Sequence, residues 1–201
     1  DNLSKNDVLV AGGISYWTWT GRKPTLSQLQ ESIEEQANVM ASSGADFLIL
    51  EMMIDIEQML VTLEAAKTAG LPIWVGLTCE PNKNNTLCLE GGDLLVDAID
   101  VLLQENIDAI HIMHTEVEHV LPSLKVLKNA WDGLIGVYPS SSTYANSVNL
   151  TSTEWAFGNV IVAKSFIEHA KKWHDFGVNF IGGCCGINVD HIKKLSKILN
   201  I

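Results

Sequence analysis

The sequence predicts an α/β fold built on a mostly parallel sheet. Three observations carry that class: short apolar runs recur along the chain, longer amphipathic stretches separate them, and glycines stand at several helix-to-strand junctions. Strands buried on both faces read as continuous apolar runs instead of alternating ones. Their alternation with helical stretches puts the strands side by side in one sheet with helices packed on it.

The elements follow in order. Val8–Ile14 is the first predicted strand. The helix over Leu26–Ser43 places Leu26, Leu29, Ile33, Ala37 and Met40 on one face at spacings of three and four. Ala45–Met52 is the second strand, and Glu57–Ala69 the helix after it, with Leu60, Leu63 and Ala66 as its stripe. Ile73–Thr78 precedes the helix Asp93–Glu105, which presents Leu94, Ala98, Val101 and Leu102. Ile107–Met113 precedes Val117–Ala130, Leu134–Tyr138 precedes Val160–Phe176, and Val178–Gly182 precedes Val189–Leu199. Gly44, Gly70, Gly133 and Gly177 sit where a left-handed helix cap is wanted. An open doubly wound sheet and a closed eight-fold barrel both accommodate six such units. An eight-fold barrel takes about 250 residues, or about 31 per unit. The 201 residues here thus hold about six units of one.

Composition excludes several functions. Hydrophobic residues make up 47% of the chain and charged residues 18%, enough for one sizeable core and against disorder. A formal net charge of −11 without a basic stripe disfavours nucleic acid. No apolar run approaches a membrane span, and the first residues lack the basic and apolar regions of an export signal. The expectation is a cytoplasmic protein whose cysteines Cys79, Cys88, Cys184 and Cys185 are reduced thiols or metal ligands. The chain begins Asp1-Asn2-Leu3, without an initiator methionine.

Active sites of parallel α/β folds lie at the carboxyl ends of the strands. Those ends carry Glu51 and Met52, then Cys79-Glu80, His114-Thr115, Tyr138-Pro139-Ser140 and Cys184-Cys185. Successive strand residues point to opposite faces, so two adjacent sulfurs can share an ion only where the strand has turned. Gly182, Gly183 and Gly186 supply that freedom. A catalytic zinc keeps three protein ligands and one open position, which Cys184, Cys185 and His114 would satisfy. A thiol ligated at such a site loses its proton and becomes the nucleophile towards an electrophilic methyl group.

Blander readings stand beside this one. The vicinal cysteines also fit a redox pair or two apolar residues in a tight turn. His114 fits a satisfied core histidine equally well, and His111 is a rival ligand with a structural role as its default. Glu51 ends an apolar run, so its carboxylate calls for a substrate ammonium or a salt bridge. Cys79 is a second-tier candidate and Cys88, in the polar stretch Asn82 to Glu90, an incidental one. Trp17, Trp19 and Trp155 fit a cage for a cationic ligand or plain loop packing.

Gly182-Gly183-Cys184-Cys185-Gly186, followed by Asp190-His191-Ile192, resembles the C-terminal signature of the homocysteine S-methyltransferase family. The likeness runs nearly the whole length. Val8-Leu9-Val10-Ala11-Gly12-Gly13 resembles the family's third barrel strand, Gly44 to Glu51 its fourth, and Val137-Tyr138-Pro139 its seventh. The resemblance implies a (β/α)8 TIM barrel of which the third to eighth units are visible, within one homocysteine-binding domain over residues 1–201. It implies Zn2+ as cofactor, held by His114, Cys184 and Cys185, and Glu51 contacting the homocysteine amino group. The implied reaction transfers a methyl group from a small onium donor, S-methylmethionine, betaine or another sulfonium or ammonium, to homocysteine, giving methionine.

Two departures bear on that expectation. The family's first zinc cysteine follows its sixth strand in a Gly-x-Asn-Cys context, and the matching stretch here is His111-Ile112-Met113-His114. His114 is thus neutral where the family has an anionic ligand, which implies a less negative site and either slower methyl transfer or its loss. The Asp-Gly-Gly-Met-Gly type segment of the family's first strand has no match. The expectation is that it lies outside this sequence; the alternatives are a complementing second chain and a degenerate, non-catalytic zinc- or thiol-binding relative, and a homo-oligomer is a separate open expectation. Met52 stands where the betaine enzymes have an aromatic residue.

Overall fold

The structure, a computed structural model, describes residues 8–16, 23–141 and 160–199; Trp17, Trp19 and Trp155 lie outside them. The elements run β1 (Ala11–Ile14), α1 (Leu26–Ser42), β2 (Phe47–Met53), α2 (Ile56–Lys67), β3 (Ile73–Leu77), β4 (Cys79–Pro81), β5 (Leu87–Leu89), α3 (Leu95–Leu102), β6 (Ala109–Glu116), α4 (Val117–Lys128), β7 (Leu134–Ser140), α5 (Ala163–Phe176), β8 (Phe180–Ile181) and α6 (Val189–Leu199).

Local chemistry explains the helix ends. Thr25 opens α1 with a reciprocal capping box: its hydroxyl accepts from the Gln28 N–H while the Gln28 side chain accepts from the Thr25 N–H. Asp55 caps α2 by accepting from the Gln58 N–H. Gly44, Gly70 and Gly177 adopt the left-handed conformation expected of them. Gly133 does not. It follows α4 without a left-handed φ, and beside it Trp131 folds back and donates its indole N–H to the Leu134 carbonyl.

Six strands form one sheet in the order β1-β2-β3-β6-β7-β8, each neighbouring pair parallel. The order follows the chain without reversal. Right-handed crossovers then put every connecting helix on the same face of the sheet. A doubly wound sheet needs a reversal and helices on both faces, so the winding is that of a barrel. The stretch between Asn82 and Glu90 is no plain loop: β4 and β5 pair antiparallel as a hairpin.

The two sheet faces divide the labour. Leu48, Leu50, Val75, Leu77, Ile110, Ile112, Ile135 and Val137 face the helices, where they meet Leu29, Ile33, Leu63, Leu124, Phe166 and Trp173 in one core. The alternate residues line the concave face. There Trp74 packs on Phe47, His111 and Phe180, with ring centroids 4.1, 5.1 and 4.6 Å away. His111 is buried among them, 5.5 Å from the Tyr138 ring, and neither ring nitrogen has a hydrogen-bond partner. Gly136 makes room for it: a Cβ there would lie 2.1 Å from the imidazole. No helix among the described residues is long and apolar enough to cross a membrane.

Candidate metal centre

Both strands that carry site residues run further than the sequence predicts, and both are bulged near their ends. The β2–β3 register shifts between Leu50 and Met53, and the β6–β7 register between Met113 and Glu116. Within the bulges Met52 and His114 take left-handed conformations, with φ of 58° and 51°. Such conformations are costly for non-glycine residues and cluster at functional sites. A bulge breaks the alternation of a strand and re-aims one side chain. Here it brings His114, still buried, to the carboxyl end of the sheet. The two bulges touch, since the Met52 N–H donates to Met113 Sδ at 3.2 Å.

Cys184 and Cys185 follow β8 in a turn. The Cys184 N–H donates to the Pro139 carbonyl at 2.9 Å and the Ile187 N–H to the Cys184 carbonyl at 3.2 Å. Glycine is required on both sides. A Cβ on Gly183 would lie 2.2 Å from Ile187, and Gly186 has φ of 77°. The turn points both sulfurs the same way, 3.8 Å apart.

His114 Nδ1 lies 3.4 Å from Cys184 Sγ and 3.6 Å from Cys185 Sγ. The three donors form a triangle, and its edges can be tested against a metal. Tetrahedral zinc, with Zn–S of about 2.3 Å and Zn–N of about 2.0–2.1 Å, sets two sulfurs about 3.8 Å apart and a sulfur and a nitrogen about 3.5 Å apart. The edges match, and the donor set of two thiolates and an imidazole is one zinc favours. Without a cation, the Cys184 thiol is pushed well up, first by its hydrogen bond with Cys185 and then by burial. A bound cation would reverse that, because it favours the thiolate outright.

Glu51 sits on the concave face beside this cluster. Its carboxyl is raised above the usual range by burial. Among the described residues no ion pair to it is formed, and its charge helps to raise both Tyr138 and Cys184. A half-buried carboxylate without a cation is poised to receive one.

The other sequence candidates lie elsewhere. Cys79 is in the core, its thiol pushed up to about 12 by burial, and its backbone N–H donates to Thr115 Oγ1. Cys88 is buried within the β4–β5 hairpin. His111 lies outside the metal-type cluster, which among the described residues groups His114, Cys184 and Cys185. Ser141, hydrogen-bonded to the cysteine turn, was not among the sequence candidates, while His191, part of the signature, places its Nε2 2.9 Å from the Ile161 carbonyl. Serine is too common, and the link too long-range, for any spacing to reveal it.

The profile of the family described as Homocysteine S-methyltransferase matches residues 1–199. Homocysteine S-methyltransferase 1 of Zea mays is 26% identical over 201 residues, covering 98% of this chain and 60% of that protein. Betaine–homocysteine S-methyltransferase 1 of Rattus norvegicus is 24% identical over 209 residues, covering 97% of this chain and 50% of that protein. This chain therefore spans about half to three-fifths of the length of such relatives. The metallated form of the homocysteine methyltransferase MmuM from Escherichia coli superposes with a TM-score of 0.75 at 19% identity, over 96% of this chain and 62% of that one. That likeness establishes the fold, a (β/α)8 barrel of which six parallel strands are seen here. With its profile matched from the first residue to residue 199, the chain belongs to the homocysteine S-methyltransferase family.

Proposed function

We propose that this chain, as one domain over residues 1–201, is the metal-bearing part of an enzyme that methylates homocysteine to methionine. The observation that carries the reading is the donor triangle of His114 Nδ1, Cys184 Sγ and Cys185 Sγ, with edges of 3.4, 3.6 and 3.8 Å. These three residues would hold zinc and leave its fourth position to substrate. Bound zinc supplies the Lewis acidity that takes the proton from a thiol at neutral pH.

The chain's own groups do the rest. Glu51 accepts the substrate ammonium, which anchors the amino-acid end away from the thiol. That two-point hold aims the sulfur and converts an encounter into an oriented attack. A sulfur–carbon bond to the methyl group forms as the donor's carbon–heteroatom bond breaks, its electron pair leaving with the neutral product. A small sulfonium or quaternary ammonium, such as S-methylmethionine or betaine, is the donor.

The test uses the full-length natural polypeptide, purified metal-replete. Elemental analysis is expected to give about one zinc per chain, and incubation with homocysteine and each onium donor in turn to give methionine. Stoichiometric zinc with no methionine from any donor would leave a non-catalytic binding protein. No zinc and no methionine would end the metal reading as well.

A further inference from the structure

We infer that Ser141 is a positioning residue of the metal centre, acting through the Cys185 carbonyl; the inference rests on the metal reading above. Ser141 immediately follows β7 and is 5% exposed. It gives both of its donors to one atom: its backbone N–H to the Cys185 carbonyl oxygen at 2.8 Å, and its hydroxyl to the same oxygen at 3.1 Å. A carbonyl oxygen has two lone pairs, so both are engaged. The peptide plane after Cys185 is thereby held, which restrains the backbone that carries the Cys185 side chain.

The same residue is held from its other end. Its carbonyl accepts from the Ile161 N–H at 2.9 Å, and the Ile161 carbonyl lies 2.9 Å from His191 Nε2 at the start of α6. Ser141, Ile161 and His191 thus close a circuit around the cysteine turn. Pro139 completes it by accepting from the Cys184 N–H at 2.9 Å. β7 and the residue after it therefore hold both cysteines by their backbones, while β6 supplies His114.

Gly186 gives an independent sign that the hydroxyl's place is specified. A Cβ on Gly186 would lie 2.2 Å from Ser141 Oγ. The glycine next to the cysteine pair thus leaves room for the serine hydroxyl as well as turning the chain. A zinc site tolerates errors of only about 0.2 Å in ligand distance.

The experiment measures metal affinity and ligand field in the full-length protein. Ser141→Ala is expected to weaken zinc 10- to 100-fold in chelator competition, the usual cost of losing an outer-shell partner. Its Co2+ derivative is expected to show altered visible band positions and intensities, while the metal-free protein melts where wild type does. Gly186→Ala, which pushes the hydroxyl away and strains a left-handed residue, is expected to weaken zinc further. In a Ser141→Ala background the second change is expected to cost less, because no hydroxyl remains to displace. Wild-type zinc affinity and an unchanged Co2+ spectrum in Ser141→Ala would overturn this inference and leave the metal reading intact. Failure of wild type itself to take up zinc would overturn both.

Discussion

His114 is where single-residue chemistry has the most leverage. Its φ of 51° lies within the bulge of β6, and as the proposed zinc ligand it would bring no charge. His114→Ala removes one of three donors, and elemental analysis is expected to find zinc largely lost. His114→Cys keeps three donors and adds a negative charge, so zinc is expected to stay and methyl transfer to quicken. Equal zinc in His114→Ala would remove the residue from the site.

Glu51 gives a sign that can be worked out. Burial raises its folded-state value above that of the unfolded chain, so the folded protein binds the extra proton. Stability from this group then falls as pH rises from the ordinary carboxylate value through the raised one. Glu51→Gln is accordingly expected to raise the melting temperature of the substrate-free protein at neutral pH, with the advantage fading in acid. The same variant is expected to raise KM for homocysteine. Glu51, His114 and the cysteine pair were legible in the sequence because each is chemically unusual at a strand end. Ser141 was not, since its role lies in two hydrogen bonds to a carbonyl 44 residues away.

At the scale of elements, His111 and Gly136 exchange volume across β6 and β7, which pair them directly. Gly136→Ala would drive a methyl group into the imidazole 2.1 Å away. The expected cost is about 1–3 kcal/mol, as for other overpacked cores, and denaturant titration should recover most of it once His111→Ala is added. His111 also carries a pH signature. Burial lowers its pKa to about 4 from 6.5. The unfolded chain therefore binds a proton that the folded one refuses, and stability falls as pH drops from about 6.5 towards about 4. Replacing His111 with Phe is expected to flatten that limb.

Most element positions were readable, because the apolar periods of parallel strands and amphipathic helices are strong local signals. The Thr25–Gln28 capping box sits at the predicted start of α1. What could not be read was set by tertiary structure. The bulges in β2 and β6 depend on register with neighbouring strands. The β4–β5 hairpin hides in a polar stretch because only Cys88 and Leu89 of β5 are buried.

For the whole molecule the open question is closure. A barrel has no edges, yet among the described residues β1 and β8 each pair with one strand only. Apolar side chains stand exposed in the end units: Val10 just before β1 and Val39 in α1 at 57% each, Val162 just before α5 at 68% and Val189 at the start of α6 at 65%. Unpaired edges next to apolar surface invite association. The chain spans about half to three-fifths of the length of the relatives it matches. We therefore expect the free 22.0 kDa chain to elute as larger species, with β1 and β8 exchanging amide hydrogen faster than β3 and β6. Joining it to a polypeptide that supplies two further β-α units is expected to give a monomer in which both edges become protected. A free chain that runs as a sharp monomer with β1 and β8 already protected would mean that six strands are self-sufficient. The proposed metal centre would then sit at the end of an open sheet.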